Sequence, residues 1–281
     1  MEIAQNWFLN ESPSEFCVND RILPSIFVIG IQKCGTSTLD GILSTYPQLS
    51  HGTTKEHHFF DHLNLDFDKY IKQFPKCSKN IVRSYDATPK YTNPNTNSAD
   101  NIKTFYNKLG IPLNKLIFIA IVCPNYLRVP SNFYFSRWNG YLKSNKTRLN
   151  NWFDWTLKHQ DQDESFLLLR KGFYDEILAK YFDLFPDSTF LLIDNQHAFK
   201  QMQTFNNFLA AELNFPTKQI PDIHKNKGKG SKEEELTEFN LKKLNQLYSN
   251  HERDFFEIAR LNKNVKTFPR NNFLDQWNLG I

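Results

Sequence analysis

The stretch FVIGIQKCGTSTLDGIL, residues 27 to 43, constrains the fold more than any other. An apolar run from Ile26 ends at Gly30, a turn follows, and a helix is predicted from the turn to about Ser44. Such a unit needs a sheet for its strand to join and a face for its helix to cover, so an α/β chain is expected. It also aims backbone N–H groups at whatever anion lies over the helix N-terminus.

The rest of the chain repeats the alternation. KLIFIAIVCP (115–124) predicts a strand buried on both faces, because its apolar run is continuous rather than alternating. GFYDEILAKYFDLFP (172–186) predicts a helix that stops before Pro186 and leads into the strand STFLLI (188–193). A helix is expected over His197–Leu213. Another should follow the basic loop HKNKGKGS, with Ser231 and Glu234 forming a capping box. YDATPKYT (85–92) reads as a strand end and a turn, since Pro89 keeps Thr88 out of the α region. Strands alternating with helices give a three-layer α/β expectation: a mainly parallel central sheet with helices on both faces. One domain is expected over 1–281, with 1–24 an N-terminal extension and 25–281 the core.

Charge and cysteines narrow the partners. The net charge of +4 suits an anionic small molecule better than nucleic acid. No apolar run approaches a membrane span, so no membrane association is expected, and the first residues lack the basic start and apolar core of a secretory signal. Cys17, Cys34, Cys77 and Cys123 show no C-x-x-C spacing, which reads as reduced thiols in a cytoplasmic protein with no metal site.

The turn itself departs from a nucleotide triphosphatase loop. That loop places lysine directly after its second glycine. Here Thr36 follows Gly35, and the lysine is Lys33, inside the turn. The strand at 117–122 ends in Cys123-Pro124, without an aspartate for magnesium. The parts fit a phosphate-like group held without a metal: main-chain amides, the Lys33 charge, and the Thr36, Ser37 and Thr38 hydroxyls. The plainer reading is a glycine turn between strand and helix.

QKCGTSTL and, about twenty residues on, KEHHFFD resemble the 5′-phosphosulfate loop and the downstream loop of sulfotransferases that use 3′-phosphoadenosine 5′-phosphosulfate (PAPS), nearest the carbohydrate and heparan-sulfate type. YDATPKY is similar to the family's acidic-x-[ST]-P-x-Y segment, CPNYLRVPSNFY to its 3′-phosphate segment, RKGFYDEILAKYFDLFP to its glycine–tyrosine helix, and KNKGKGS to its late basic loop. The Asn- and Phe-rich composition with this loop type also resembles parasitic flatworm (schistosome) sulfotransferases that activate the prodrug oxamniquine. The resemblance implies a P-loop-like sulfotransferase fold, PAPS as co-substrate and 3′-phosphoadenosine 5′-phosphate as product. Gln32, Lys33, Cys34, Gly35, Thr36, Ser37 and Thr38 would hold the 5′ end of the nucleotide. Arg128, Ser131, Lys227, Gly228 and Lys229 would hold its 3′-phosphate. One departure stands out: the 3′-phosphate segment of the family opens with arginine, and here that position is Cys123.

Sulfuryl transfer needs charge neutralisation at the leaving phosphate, assigned to Lys33, and a base for the acceptor hydroxyl. Two carboxylates compete. Glu56 matches the E-x-H-F-F-D glutamate, and Asp86 matches the acidic residue before [ST]-P. Ala87 stands where glycan enzymes usually have lysine, which leaves Asp86 without that counter-ion, so Asp86 is preferred with Glu56 beside it. His57, Tyr91, Tyr134, Trp138 and Trp152 are candidates for the acceptor pocket, although any one of these rings could equally be core. A small, partly apolar hydroxyl compound is the expected acceptor. Alternatives are a glycan acceptor, a P-loop kinase, or a non-catalytic nucleotide-binding relative.

Overall fold

The computed structural model describes residues 13–62, 66–77, 81–142, 148–160, 165–221 and 234–269. A two-stranded antiparallel ribbon, β1 (Cys17–Val18) with β2 (Arg21–Ile22), precedes the main sheet. Six strands form that sheet: β3 (Pro24–Gly30), β4 (Leu49–Ser50), β5 (Arg83–Asp86), β6 (Ile117–Val122), β7 (Thr189–Asp194) and β8 (Val265–Phe268). Their order is β4-β5-β3-β6-β7-β8, and every pair is parallel.

Helices cover both faces, as parallel strands joined by crossovers require. Against one face lie α3 (Ser98–Lys108), α7 (Tyr174–Leu184) and α10 (Glu238–Leu261). They bury Phe105, Leu178 and Phe255 against Phe27, Phe118, Ala120 and Phe190. Against the other lie α1 (Thr36–Leu43) and α9 (Met202–Glu212), which bury Leu39 and Leu209 against Val28, Ile119, Ile121 and Leu191. Neighbouring residues of β6 thus serve opposite layers. This explains the unbroken apolar run at 117–122, since a strand with period-two side chains and two dry faces has no place for a polar residue. A third apolar group sits beyond the sheet between α4 (Asn125–Trp138), α5 (Leu149–Lys158), α6 (Phe166–Arg170) and α10, around Phe133, Phe153 and Tyr248. The short helices α2 (Phe67–Ile71) and α8 (Asn195–Lys200) complete the described α-helices.

Several details differ from the sequence expectations. The single helix over His197–Leu213 is two, α8 and α9, broken at Gln201. Ser231 lies outside the described residues, and α10 begins only at Glu238, where the Thr237 hydroxyl accepts from Asn240 N–H. Glu234 is not helical. Its carboxylate accepts from Leu149 N–H at 2.9 Å and from the Asn150 amide at 2.7 Å, so a tertiary contact to the start of α5 displaces the local cap.

The reduced-thiol expectation is overturned. Cys17 is bonded to Cys77 and Cys34 to Cys123, across 60 and 89 residues of chain. Disulfides belong to oxidising surroundings, so the thiol argument for a cytoplasmic protein lapses. No described helix is long and apolar enough to cross a membrane.

The strand order fixes where a ligand belongs. The chain leaves β3 for the β4–β5 side and returns to β6 on the other side of β3. The carboxyl ends of β3 and β6 therefore flank the point where the order reverses, and open α/β sheets bind ligands in that crevice. Residues 31–37 and Cys123 sit there, joined by the Cys34–Cys123 bond.

Candidate active site

The turn after β3 is shaped by close approaches. A side chain at Gly30 would come within 2.5 Å of the Thr92 hydroxyl, and one at Gly35 within 2.4 Å of the Phe199 ring. Gly35 also has a φ of 105°, in the left-handed region that only glycine adopts freely. It caps α1 without any side-chain acceptor, so the first-turn N–H groups are not satisfied by a capping side chain. Lys33 too has positive φ, at 76°. Its ammonium lies 4.5 Å from the centre of the Phe135 ring, and burial lowers its pKa. Gln32, Ser37 and Thr38 are half-buried on the same turn, whereas Thr36 is buried. Cys34 is wholly buried in its disulfide and presents no group to a ligand.

Facing the turn is a string of charged side chains from the segment 55–61. Lys55 donates to Ser37 Oγ at 3.1 Å and to Glu56 Oε1 at 2.9 Å. Glu56 Oε2 lies 3.3 Å from His58 Nε2, and His58 Nδ1 lies 3.2 Å from Asp61 Oδ2. Lys90 reaches the same Asp61 oxygen at 3.0 Å. Hydrogen bonds from His58 to Asp61 and Glu56 raise the His58 pKa to about 9, so the ring is an imidazolium at neutral pH. Burial would raise Asp61, but its His58 and Lys90 partners outweigh that and hold it at about 2. Glu56 shows the same balance: burial raises it, the bonds from His58 and Lys55 lower it more, and the net shift is downward. The Glu56 and His58 side chains remain over a third exposed, while Asp61 is fully covered.

Asp86 has a different setting. It is fully buried at the end of β5, and three hydroxyls donate to it: Tyr70 at 3.0 Å, Tyr91 at 2.7 Å and Thr88 at 2.6 Å. Burial raises its pKa against the favourable His57 charge and these bonds. Its side chain is enclosed by these hydroxyls rather than open to solvent. Its bonding partners instead carry the 55–61 segment: Thr88 Oγ1 accepts from His57 and His58 N–H, Ala87 N–H donates to Lys55 C=O, and Tyr91 OH accepts from Phe60 N–H.

The pocket candidates divide in the same way. His57 is fixed between Gln73 and the His51 carbonyl, with its ring 4.6 Å from that of Phe74. Tyr91 is spent on Asp86, and Trp152 is buried beside Phe133. Tyr134 OH bridges the N–H and C=O of Glu234. Trp138 is 74% exposed at the end of the helix that carries Phe135.

Arg128, expected at the 3′-phosphate, makes its hydrogen bonds within the fold. Its guanidinium is fully buried and donates to Asn125 Oδ1, the Leu168 and Leu169 carbonyls and Tyr248 OH, at 2.8 to 3.2 Å. Gly172 is required beneath it, since a side chain there would come within 2.6 Å of Arg128 Nη2 and 2.1 Å of Asn125 Oδ1. Ser131 is half-buried on the same helix. Lys227, Gly228 and Lys229 lie outside the described residues.

Sequence reasoning passed over Lys55, Asp61, Lys90 and Lys171. Asp61 closes the E-x-H-F-F-D match. Lys90, three residues after Ala87, pairs with Asp61 rather than with Asp86. Lys171 lies just before the glycine that Arg128 demands, and donates to Gln32 Oε1 at 2.7 Å.

No family model matches the sequence, and no curated protein matches it. Among solved structures, a sulfotransferase from Alicyclobacillus acidocaldarius is similar at 17% identity, with a TM-score of 0.67 over 84% of this chain and 95% of that one. The chain thus has the fold of a solved sulfotransferase, an α/β sheet carrying its glycine turn at the switch point.

Proposed function

We propose that the protein is a sulfotransferase that moves the sulfuryl group of PAPS to a hydroxyl of a small, partly apolar acceptor. The observation that carries this reading is the convergence on one turn of Lys33, Lys55 and Lys171, opposite a half-exposed carboxylate. The 5′ end of the nucleotide fits that turn, where uncapped amides and lysine charge favour an oxyanion. The 3′ side fits less well, because the Arg128 guanidinium is spent internally and Cys123 is in a disulfide.

Lys33 neutralises the leaving 5′-phosphate. Glu56 takes the proton of the acceptor hydroxyl as the new O–S bond forms and the bond from sulfur to the phosphate oxygen breaks. The products are the sulfated acceptor and 3′-phosphoadenosine 5′-phosphate. The base is placed on Glu56 rather than Asp86 because only Glu56 reaches the surface of the site. The lowered pKa of Glu56 makes it a weak base for a neutral hydroxyl, so proton transfer belongs late, when attack of the hydroxyl oxygen on sulfur has acidified that hydroxyl. His58 and Asp61 hold Glu56 in place. Labelled-sulfate transfer from PAPS to a panel of phenols, alcohols and glycans, with wild type and Lys33→Ala, tests the reading. Transfer should fall by roughly tenfold to a thousandfold in the variant, the scale of a lost charge contact to the transition state. Undiminished transfer in the variant would contradict the role given to Lys33.

A further inference from the structure

Lys171, like Lys33, is a half-buried cation at the turn with no carboxylate partner among the described residues. It lies at the end of α6 and donates to Gln32 on the turn. Burial lowers its pKa to about 8, helped by the charges of Arg128 and Lys90, both of its own sign. Lys55 and Lys90 are each paired, with Glu56 and Asp61. The polar string around the site therefore runs from Ser37 through Lys55, Glu56, His58, Asp61 and Lys90, whereas the arm from Gln32 ends on the Lys171 ammonium, which has no carboxylate partner among the described residues. Keeping an ammonium half-buried beside like charge is unfavourable unless something negative joins it.

We infer that Lys171, with Lys90, forms an oxyanion seat at the reaction centre of the enzyme proposed above. The oxyanion comes either from the sulfuryl group of the donor or from an acidic group on the acceptor. Lys171 joins the turn and Lys90 joins the carboxylate string, so a group held by both lies between donor and base. This inference rests on the sulfotransferase reading, but the seat can be tested without turnover.

The test is calorimetric titration of wild type, Lys171→Met, Lys90→Met and Gln32→Ala with PAPS, with 3′-phosphoadenosine 5′-phosphate and with inorganic sulfate, beside transfer to a neutral phenol and to its carboxylate-bearing analogue. If the donor fills the seat, Lys171→Met weakens PAPS by roughly tenfold and leaves the desulfated nucleotide within about twofold, one charge-assisted contact being lost. If the acceptor fills it, both nucleotides are unchanged and KM rises by roughly tenfold for the carboxylate-bearing phenol alone. Either result supports the seat. Lys90→Met should weaken the same ligand, and because that side chain is 40% exposed the variant keeps the test open should Lys171→Met fail to fold. The inference is overturned if Lys171→Met and Lys90→Met leave every affinity unchanged, or if Gln32→Ala reproduces the Lys171→Met loss, which would make Lys171 a strut for Gln32. Binding of inorganic sulfate that Lys171→Met abolishes, in a protein that binds neither nucleotide, would keep the seat and remove the sulfotransferase reading.

Discussion

Glu56 and Asp86 are both carboxylates in segments that resemble sulfotransferase motifs, and they sit in opposite physical surroundings. Glu56 is partly exposed, flanked by Lys55 and by a His58 imidazolium, and its pKa is lowered. Asp86 is sealed at a strand end, bonded by three hydroxyls, and its pKa is raised. The difference teaches that a motif match names a position, whereas solvent access and the identity of the donors assign the role. A carboxylate with three hydroxyl donors has spent most of its acceptor capacity on the fold. One that accepts from partly exposed cations, as Glu56 does from Lys55 and His58, can still receive a proton.

The comparison breaks most sharply under paired substitutions. Glu56→Gln should lower kcat by about 10²–10⁴-fold, the usual contribution of a positioned base, with Tm little changed. If Asp86→Asn shows that loss at unchanged Tm and Glu56→Gln does not, the assignment is reversed. Arg128→Met should cost stability rather than nucleotide affinity, about 3–5 kcal/mol in denaturant unfolding, because it strips donors from buried carbonyls and from Tyr248. Loss of nucleotide binding without loss of stability would place Arg128 back at the phosphate. Asp86→Asn should cost about 1–3 kcal/mol by leaving one of three buried hydroxyls poorly matched, and should loosen the 55–61 segment that Thr88 and Tyr91 hold.

Titration gives the smallest effect. The His58 pKa rises from 6.5 to about 9 in the folded protein, so its contribution to stability is complete below 6.5 and is lost as pH rises through 9. Asp61 moves the other way, from 3.8 to about 2, and its contribution is complete above 3.8 and lost as pH falls through 2. Since His58 is 40% exposed, solvent screening limits the high-pH loss to about 1 kcal/mol. Thermal unfolding at pH 6 and pH 10 should show a drop that His58→Gln largely abolishes.

How far the sequence reaches differs between the sheet and the site. β6 and β7 are legible because a strand dry on both faces must be continuously apolar, and Pro186 marks the end of α7. The turn at Lys33 is legible because glycine spacing answers to local backbone sterics. What depends on chain segments meeting from far apart is not. Cys123 reads as a missing arginine until the sheet brings it to Cys34, 89 residues away. Arg128 reads as a phosphate clamp until α6 and α10 close around it. Lys171 carries no local signal beyond the glycine that follows it.

The account stands on the turn at the ends of β3 and β6 holding a sulfated nucleotide through lysine charge and main-chain amides. Isothermal titration of 3′-phosphoadenosine 5′-phosphate into wild type and Lys33→Ala, with divalent ions chelated, measures that directly. Saturable one-to-one binding to wild type, weakened at least several-fold in Lys33→Ala, is the predicted result. No binding to wild type, or equal binding to both proteins, would contradict it.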